Sequence, residues 1–187
     1  MRISSDELFN GSGEITTPWQ TSIAGHSHLL SLPGGITFRQ IFLRLLDGVD
    51  LECRVTAGLY ATIYRDNTIE LTPIYQDQQR QYHLPKDGKV IITQLFIGWQ
   101  ALSELCQSSL DTTRNTLQNS LRRIDRVYLA EANQLVTSLI QNQNHFLKRA
   151  TLYQLVCRLL NELQLTWPSH NNGGTAVPSY PTNTTLH

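Results

Sequence analysis

From Trp99 to Trp167 the chain contains neither glycine nor proline; all eleven glycines and all seven prolines lie elsewhere. A stretch without either helix breaker reads as helical along its length. Within it, Tyr128, Leu135, Val136, Leu139 and Ile140 make one apolar stripe, and Asn142-Gln143-Asn144-His145 interrupts it. Phe146, Leu147, Tyr153, Val156, Leu159, Leu160 and Leu163 make another. Leu152, Leu155, Leu159 and Leu163 suit either core packing or a self-association seam on a strongly amphipathic last helix. Residues 99–167 are expected to form a helical domain.

The preceding half has a different texture. Residues 1–35, rich in Ser, Thr, Gly and Pro, read as a partly ordered arm with a short strand near Gln20–Ala24 and with His26 and His28 in a surface loop. Ile36–Asp47 reads as an amphipathic helix, Thr37 its cap, Gly48 its stop, and Arg39 and Arg44 on its wet side. From Leu51 the period shortens: Leu51, Cys53 and Val55 alternate, as do Leu59, Ala61 and Ile63. Arg65-Asp66-Asn67 and Lys86-Asp87-Gly88-Lys89 are turn signals, and Val90-Ile91-Ile92 reads as a buried strand. Residues 36–98 thus predict an α/β module with an antiparallel sheet of three to five strands. Residues 168–187 read as a flexible, disordered tail, low in charge and rich in Asn, Thr, Gly and Pro. The expected class is α+β: an N-terminal helix and small antiparallel sheet, an all-helical C-terminal half, and the tail.

One part of the helical half carries a motif. Trp99, Leu102, Leu105 and Cys106 share a helix face, Gln107–Leu110 makes a polar break, and Ser108 or Ser109 can cap the next helix. Leu117, Leu121 and Ile124 then repeat at i, i+4, i+7, with Arg114, Asn115, Gln118, Asn119, Arg122 and Arg123 on the opposite face. Residues 99–124 resemble bacterial helix-turn-helix regulators. Cys106 and Leu110 match buried positions of the first helix, and Asp111 the turn. Thr113 matches the cap of the recognition helix, and Leu121-Arg122-Arg123-Ile124 its ending. Gln107 stands where that family has a small residue, Asp111 where it has glycine and Thr112 where it has an aliphatic residue. No Gly-tipped basic strand pair comes next to make a wing. The resemblance implies major-groove readout by Thr113, Arg114, Asn115 and Gln118, with Arg122, Arg123 and Arg126 nearer the phosphates.

Charge and cysteine usage bound the rest. The formal net charge is zero, a poor match to a free-standing nucleic-acid binder, whose non-specific affinity is electrostatic. The halves differ, with 8 Lys/Arg against 10 Asp/Glu before Trp99 and 7 against 5 from Trp99 onward. Cys53, Cys106 and Cys157, widely spaced in apolar runs, read as buried reduced thiols in a cytoplasmic protein. No leader or membrane span is read. Asp47, Asp50, Glu52, Glu70 and His83 fall near the sheet without a recognisable catalytic spacing, so they read as a solvated rim. The expectation is a non-enzymatic, cofactor-free DNA-binding regulator acting as a dimer. The alternative is a protein-interaction module whose amphipathic helices dock a partner.

Overall fold

The computed structural model describes residues 2–4, 13–14, 23–122 and 124–163. In it Ile36–Leu45 is an extended strand, not the helix its apolar spacing predicts. Ile36 and Phe38 are buried on one face, and Ile41, Leu43 and Leu45 on the other. Each face is covered over only part of the strand, so the apolar residues shift face midway and imitate a helical stripe. Thr37 and Arg39 consequently face the interior between two sheets rather than capping or wetting a helix.

The strands are β1 (Arg2–Ser4), β2 (Gly13–Glu14), β3 (Ile23–Leu32), β4 (Ile36–Leu45), β5 (Val49–Val55), β6 (Gly58–Ile63), β7 (Thr68–Ile74), β8 (Gln78–Leu84), β9 (Lys89–Gly98) and β10 (Arg126–Tyr128). Seven form one sheet in the order β10-β7-β6-β9-β4-β3-β2; β1, β5 and β8 form a second. The pairs nest, β4 with β9 around β5 with β8 around β6 with β7, and alternate between the sheets. This is the wrapped antiparallel hairpin of a jelly-roll sandwich. The expected three-to-five-stranded sheet is therefore too small. Strands such as β8, with the polar sequence QQRQYHL, give almost no apolar signal. His26 and His28 lie within β3, not in a loop, with ring centroids 5.7 Å apart.

Among the described residues four helices come after β9: α1 (Trp99–Leu105), α2 (Leu110–Leu121), α3 (Ala132–Gln141) and α4 (His145–Glu162). The polar stretch at Asn142 does break the helix, and Asn144 caps α4 by accepting from the Phe146 and Leu147 N–H groups at 2.9 and 3.4 Å. The half without glycine or proline is not all helical, however. Arg126–Tyr128 adds an edge strand to β7, Val127 opposite Ile69, and the Asp125 carbonyl accepts from the Leu71 N–H at 3.0 Å. Tertiary pairing with a waiting sheet edge overrides local propensity here. Apart from β10, the described strands come first and the helices after, and Ile36–Leu45 is a strand where the N-terminal helix is expected. Pro168 and the tail lie outside the described residues.

Two apolar clusters result. The larger joins the helices to one face of the seven-stranded sheet through Phe38, Leu59, Leu95, Leu102, Leu117 and Leu152. The smaller lies between the sheets and is built on Ile23, Ile41, Leu43, Leu45, Val49 and Leu51. No helix among the described residues is long and apolar enough to cross a membrane.

A polar latch fixes the helical layer to the β6–β7 turn. Asn67 takes a left-handed conformation, φ 64°, and its Oδ1 accepts from the Asn133 N–H at 3.0 Å. The Asn133 Nδ2 stands 2.8 Å from the Arg65 carbonyl, 2.8 Å from Asn67 Oδ1 and 3.2 Å from the Tyr64 carbonyl. Asn133→Ala removes the side-chain donors from several acceptors at once. It is expected to cost about 1–3 kcal/mol, read as a lower denaturant midpoint with an unchanged slope.

Candidate functional site

The α1–α2 pair forms as two helices joined by a short turn, but its residues serve different ends. α1 runs directly out of β9, and Gln107 turns the chain with φ 48°. Ser109, not Thr113, caps α2, accepting from the Thr112 N–H at 3.2 Å. Asp111 accordingly lies in the first helical turn rather than in the connection. Thr113 is buried, its hydroxyl 2.6 Å from that of Ser108. The Arg114 guanidinium lies over the indole of Trp99, Cζ 5.2 Å from the ring centroid, and its buried Nε has no hydrogen-bond partner among the described residues. Asn115, Gln118 and Arg122 are exposed, and their i, i+3, i+7 spacing places them on one side of α2. Arg126 belongs to β10 and pairs with Glu70 at 3.4 Å. Arg123 lies outside the described residues. The structure thus groups three of the seven expected contact residues on one face, ties Thr113, Arg114 and Arg126 into the fold, and leaves Arg123 undescribed.

A second feature was invisible in the sequence. Between the sheets is a cavity of about 600 Å³, formed by side chains from β4 to β9. At one end its wall is aliphatic, with Ile41, Leu43, Leu51, Leu84, Val90 and Ile92. At the other it is polar and aromatic, with Thr37, Arg39, Tyr60, Thr62, Gln94 and Phe96. Strand register sets this polarity. Thr62, Gln94 and Arg39 sit in one row across β6, β9 and β4, and Tyr60, Phe96 and Thr37 in the next. In the opposite direction Ile41 pairs with Ile92 and Leu43 with Val90. β5 and β8 add Cys53, Arg54, Val55, Arg80 and Tyr82 to the lining.

The aromatic wall is closely fitted. The Tyr60 and Phe96 rings are 4.9 Å apart, and the Tyr60 hydroxyl donates to the Thr56 carbonyl at 3.1 Å. A side chain at Gly58 would collide with the Phe96 ring and the Ile97 carbonyl, so glycine there lets β6 approach β9. Burial pushes the Tyr60 phenol above its ordinary pKa against the opposing charges of Arg39 and Arg80. Tyr60 is therefore a neutral hydrogen-bonding group near neutral pH.

At the rim, Asp77 binds the β5–β6 connection to the β7–β8 connection. One carboxylate oxygen accepts from the Ala57 N–H at 2.8 Å and the other from Arg54 at 3.3 Å. Tyr75, two residues earlier, stacks on Trp99 with centroids 5.4 Å apart, and the Trp99 Nε1–H donates to the Ile74 carbonyl at 2.8 Å. The rim thus touches the start of α1. The carboxylates beside the sheet lie elsewhere: Asp50 meets His83 at 2.8 Å with both side chains exposed, and Glu70 accepts from the Tyr64 hydroxyl at 2.7 Å. Among the described residues no His, Cys, Asp and Glu side chains gather as a metal site.

The bonds from Ala57 and Arg54 hold Asp77 below the ordinary carboxylate value of 3.8. Its contribution to folding is complete above the unfolded-state value and is lost as pH falls through the lower folded-state value. The stability difference between the native chain and Asp77→Asn is therefore expected to be largest at neutral pH and to close below pH 3.8, measured by denaturant titration across the acid range. A difference that persists in strong acid would contradict this role. Comparison of the chain with family models, curated proteins and solved structures finds no match, so the cavity and the α1–α2 pair carry the functional reading.

Proposed function

We propose that the chain is a non-enzymatic binding module that takes a small molecule between its two sheets and presents its helical half to a partner. The observation that carries this reading is the polarised cavity. Its volume of about 600 Å³ falls within the roughly 300–1,000 Å³ of small-molecule sites. Its aliphatic end offers burial, and its polar end offers donors that orient a ligand. The charged groups among the described lining residues are guanidiniums, which stay protonated and hold charge rather than shuttle protons. That composition suits binding better than acid–base catalysis.

A neutral solvatochromic dye such as Nile red is expected to bind with a blue-shifted emission. Thr62→Trp, which places an indole in the middle of the cavity, is expected to weaken binding by about tenfold or more, a change of ~1.4 kcal/mol. Far-UV circular dichroism establishes that the variant is folded. Unchanged dye binding by a folded variant would place the dye elsewhere and remove the cavity from this reading.

A second reading places duplex DNA against α2 of a cytoplasmic dimer. Asn115, Gln118 and Arg122 support it, exposed on one side of a Ser109-capped helix just past a short turn. Arg114 would then stiffen the reading helix through Trp99 rather than read a base. Cys53, Cys106 and Cys157 form no disulfide, which suits a reducing compartment. On this reading duplex binding weakens steeply with salt, and Arg122→Ala reduces the salt slope by about 1. Absence of duplex retention at low salt would leave the cavity and a protein partner.

A further inference from the structure

We propose that the cavity selects an amphipathic anion, a carboxylate carrying an aliphatic or aryl body, with its charge toward Arg39 and Arg80 and its body toward Ile41, Leu43 and Ile92. This rests on the reading of the cavity as a ligand site and adds the chemistry of its occupant. The first argument is charge. Among the described lining residues stand Arg39, Arg54 and Arg80 and no carboxylate; Asp77, outside the lining, meets Arg54. A cleft lined by one sign of charge between low-dielectric walls focuses its potential on an ion of the opposite sign.

The second argument is the order of side chains. On β4 the sequence of inward residues is Thr37, Arg39, Ile41 and Leu43, so polarity changes once and in one direction. Two residues advance a strand by about 7 Å, which separates the guanidinium row from the last aliphatic row by roughly 14 Å. β9 runs antiparallel beside it, Phe96 next to Thr37, Gln94 beside Arg39, and then Ile92 and Val90 beside Ile41 and Leu43. A head-and-tail molecule fits that gradient, whereas a uniformly polar or uniformly apolar one satisfies one end alone. The planar fork of a guanidinium matches a carboxylate through paired hydrogen bonds, and the Thr62 hydroxyl and Gln94 amide lie in the same row to complete them.

The test is calorimetric titration of the full chain with decanoate, 1-decanol and decyltrimethylammonium at equal ionic strength and below their aggregation concentrations. Decanoate is expected to bind about tenfold or more tightly than either of the others, the scale of a hydrogen bond to a charged group. Arg39→Gln/Arg80→Gln is expected to abolish that preference, and Arg39→Lys to retain part of it. The three-probe comparison needs no variant, so misfolding of the double variant does not shield the proposal. Equal affinity for the three probes overturns anion selection and leaves the cavity as a ligand site. Nile red binding sensitive to Thr62→Trp, with no decanoate binding, also overturns it. Failure of dye and all three probes together overturns the underlying cavity reading as well.

Discussion

The antiparallel pairing of β4 with β9 is the contact on which the rest of the molecule depends. Both strands are ten residues long and register from Ile36 opposite Ile97 to Arg44 opposite Lys89. At one end the pair contributes Phe38, Leu95 and Ile97 to the core beneath the helices. At the other it contributes Ile41 and Leu43, with Val90 and Ile92 packed against them, to the space between the sheets. One ladder therefore belongs to two apolar clusters, on opposite faces and offset along the strands. The cavity exists because the smaller cluster fills only part of the interval between the sheets. A polar segment of both strands, Arg39 beside Gln94, is left facing that interval.

The helical layer depends on the same pair for its starting point. β9 ends at Gly98 and α1 begins at Trp99, so strand geometry sets where the indole enters the core. Trp99 then meets three neighbours with different chemistry: the Ile74 carbonyl, the Tyr75 ring and the Arg114 guanidinium. Ile74 also lines the cavity. The last residue of β7 consequently has its carbonyl in the helical layer and its side chain in the sandwich. This contact gives a physical route between the two halves, made of one strand end and one aromatic stack.

Parts of this architecture are legible in the residues, and the failures have physical causes. The turn at Arg65-Asp66-Asn67 and the Asp87 turn both form, with Asn67 at φ 64° and Asp87 at φ 58°, because left-handed backbone leaves a local compositional trace. The break at Asn142–His145 is legible for a similar reason, since Asn144 caps its own helix. Ile36–Leu45 misleads because a strand covered on both faces loses the period that identifies it. Arg126–Tyr128 misleads because only the neighbouring edge of β7 makes that segment a strand. The α1–α2 hairpin is legible as a helix pair, but the contacts of Arg114 with Trp99 and of Arg126 with Glu70 are not. Those partners lie 15 and 56 residues away in sequence. The cavity leaves no trace, since Arg39, Tyr60, Arg80 and Gln94 meet only through strand register.

Gly58 shows how these constraints bear on sequence divergence. Its missing side chain is the space that the Phe96 ring occupies, so one position governs both strand approach and the shape of the aromatic wall. A descendant of this chain with a reshaped cavity would find little freedom there, because any side chain at 58 displaces the wall and the β6–β9 ladder together. Thr37, Thr62 and Thr72 also line the cavity but are only half-buried, and they can vary in size and polarity without moving backbone. The lining of such a sandwich is free to drift along its threonines while the glycine stays.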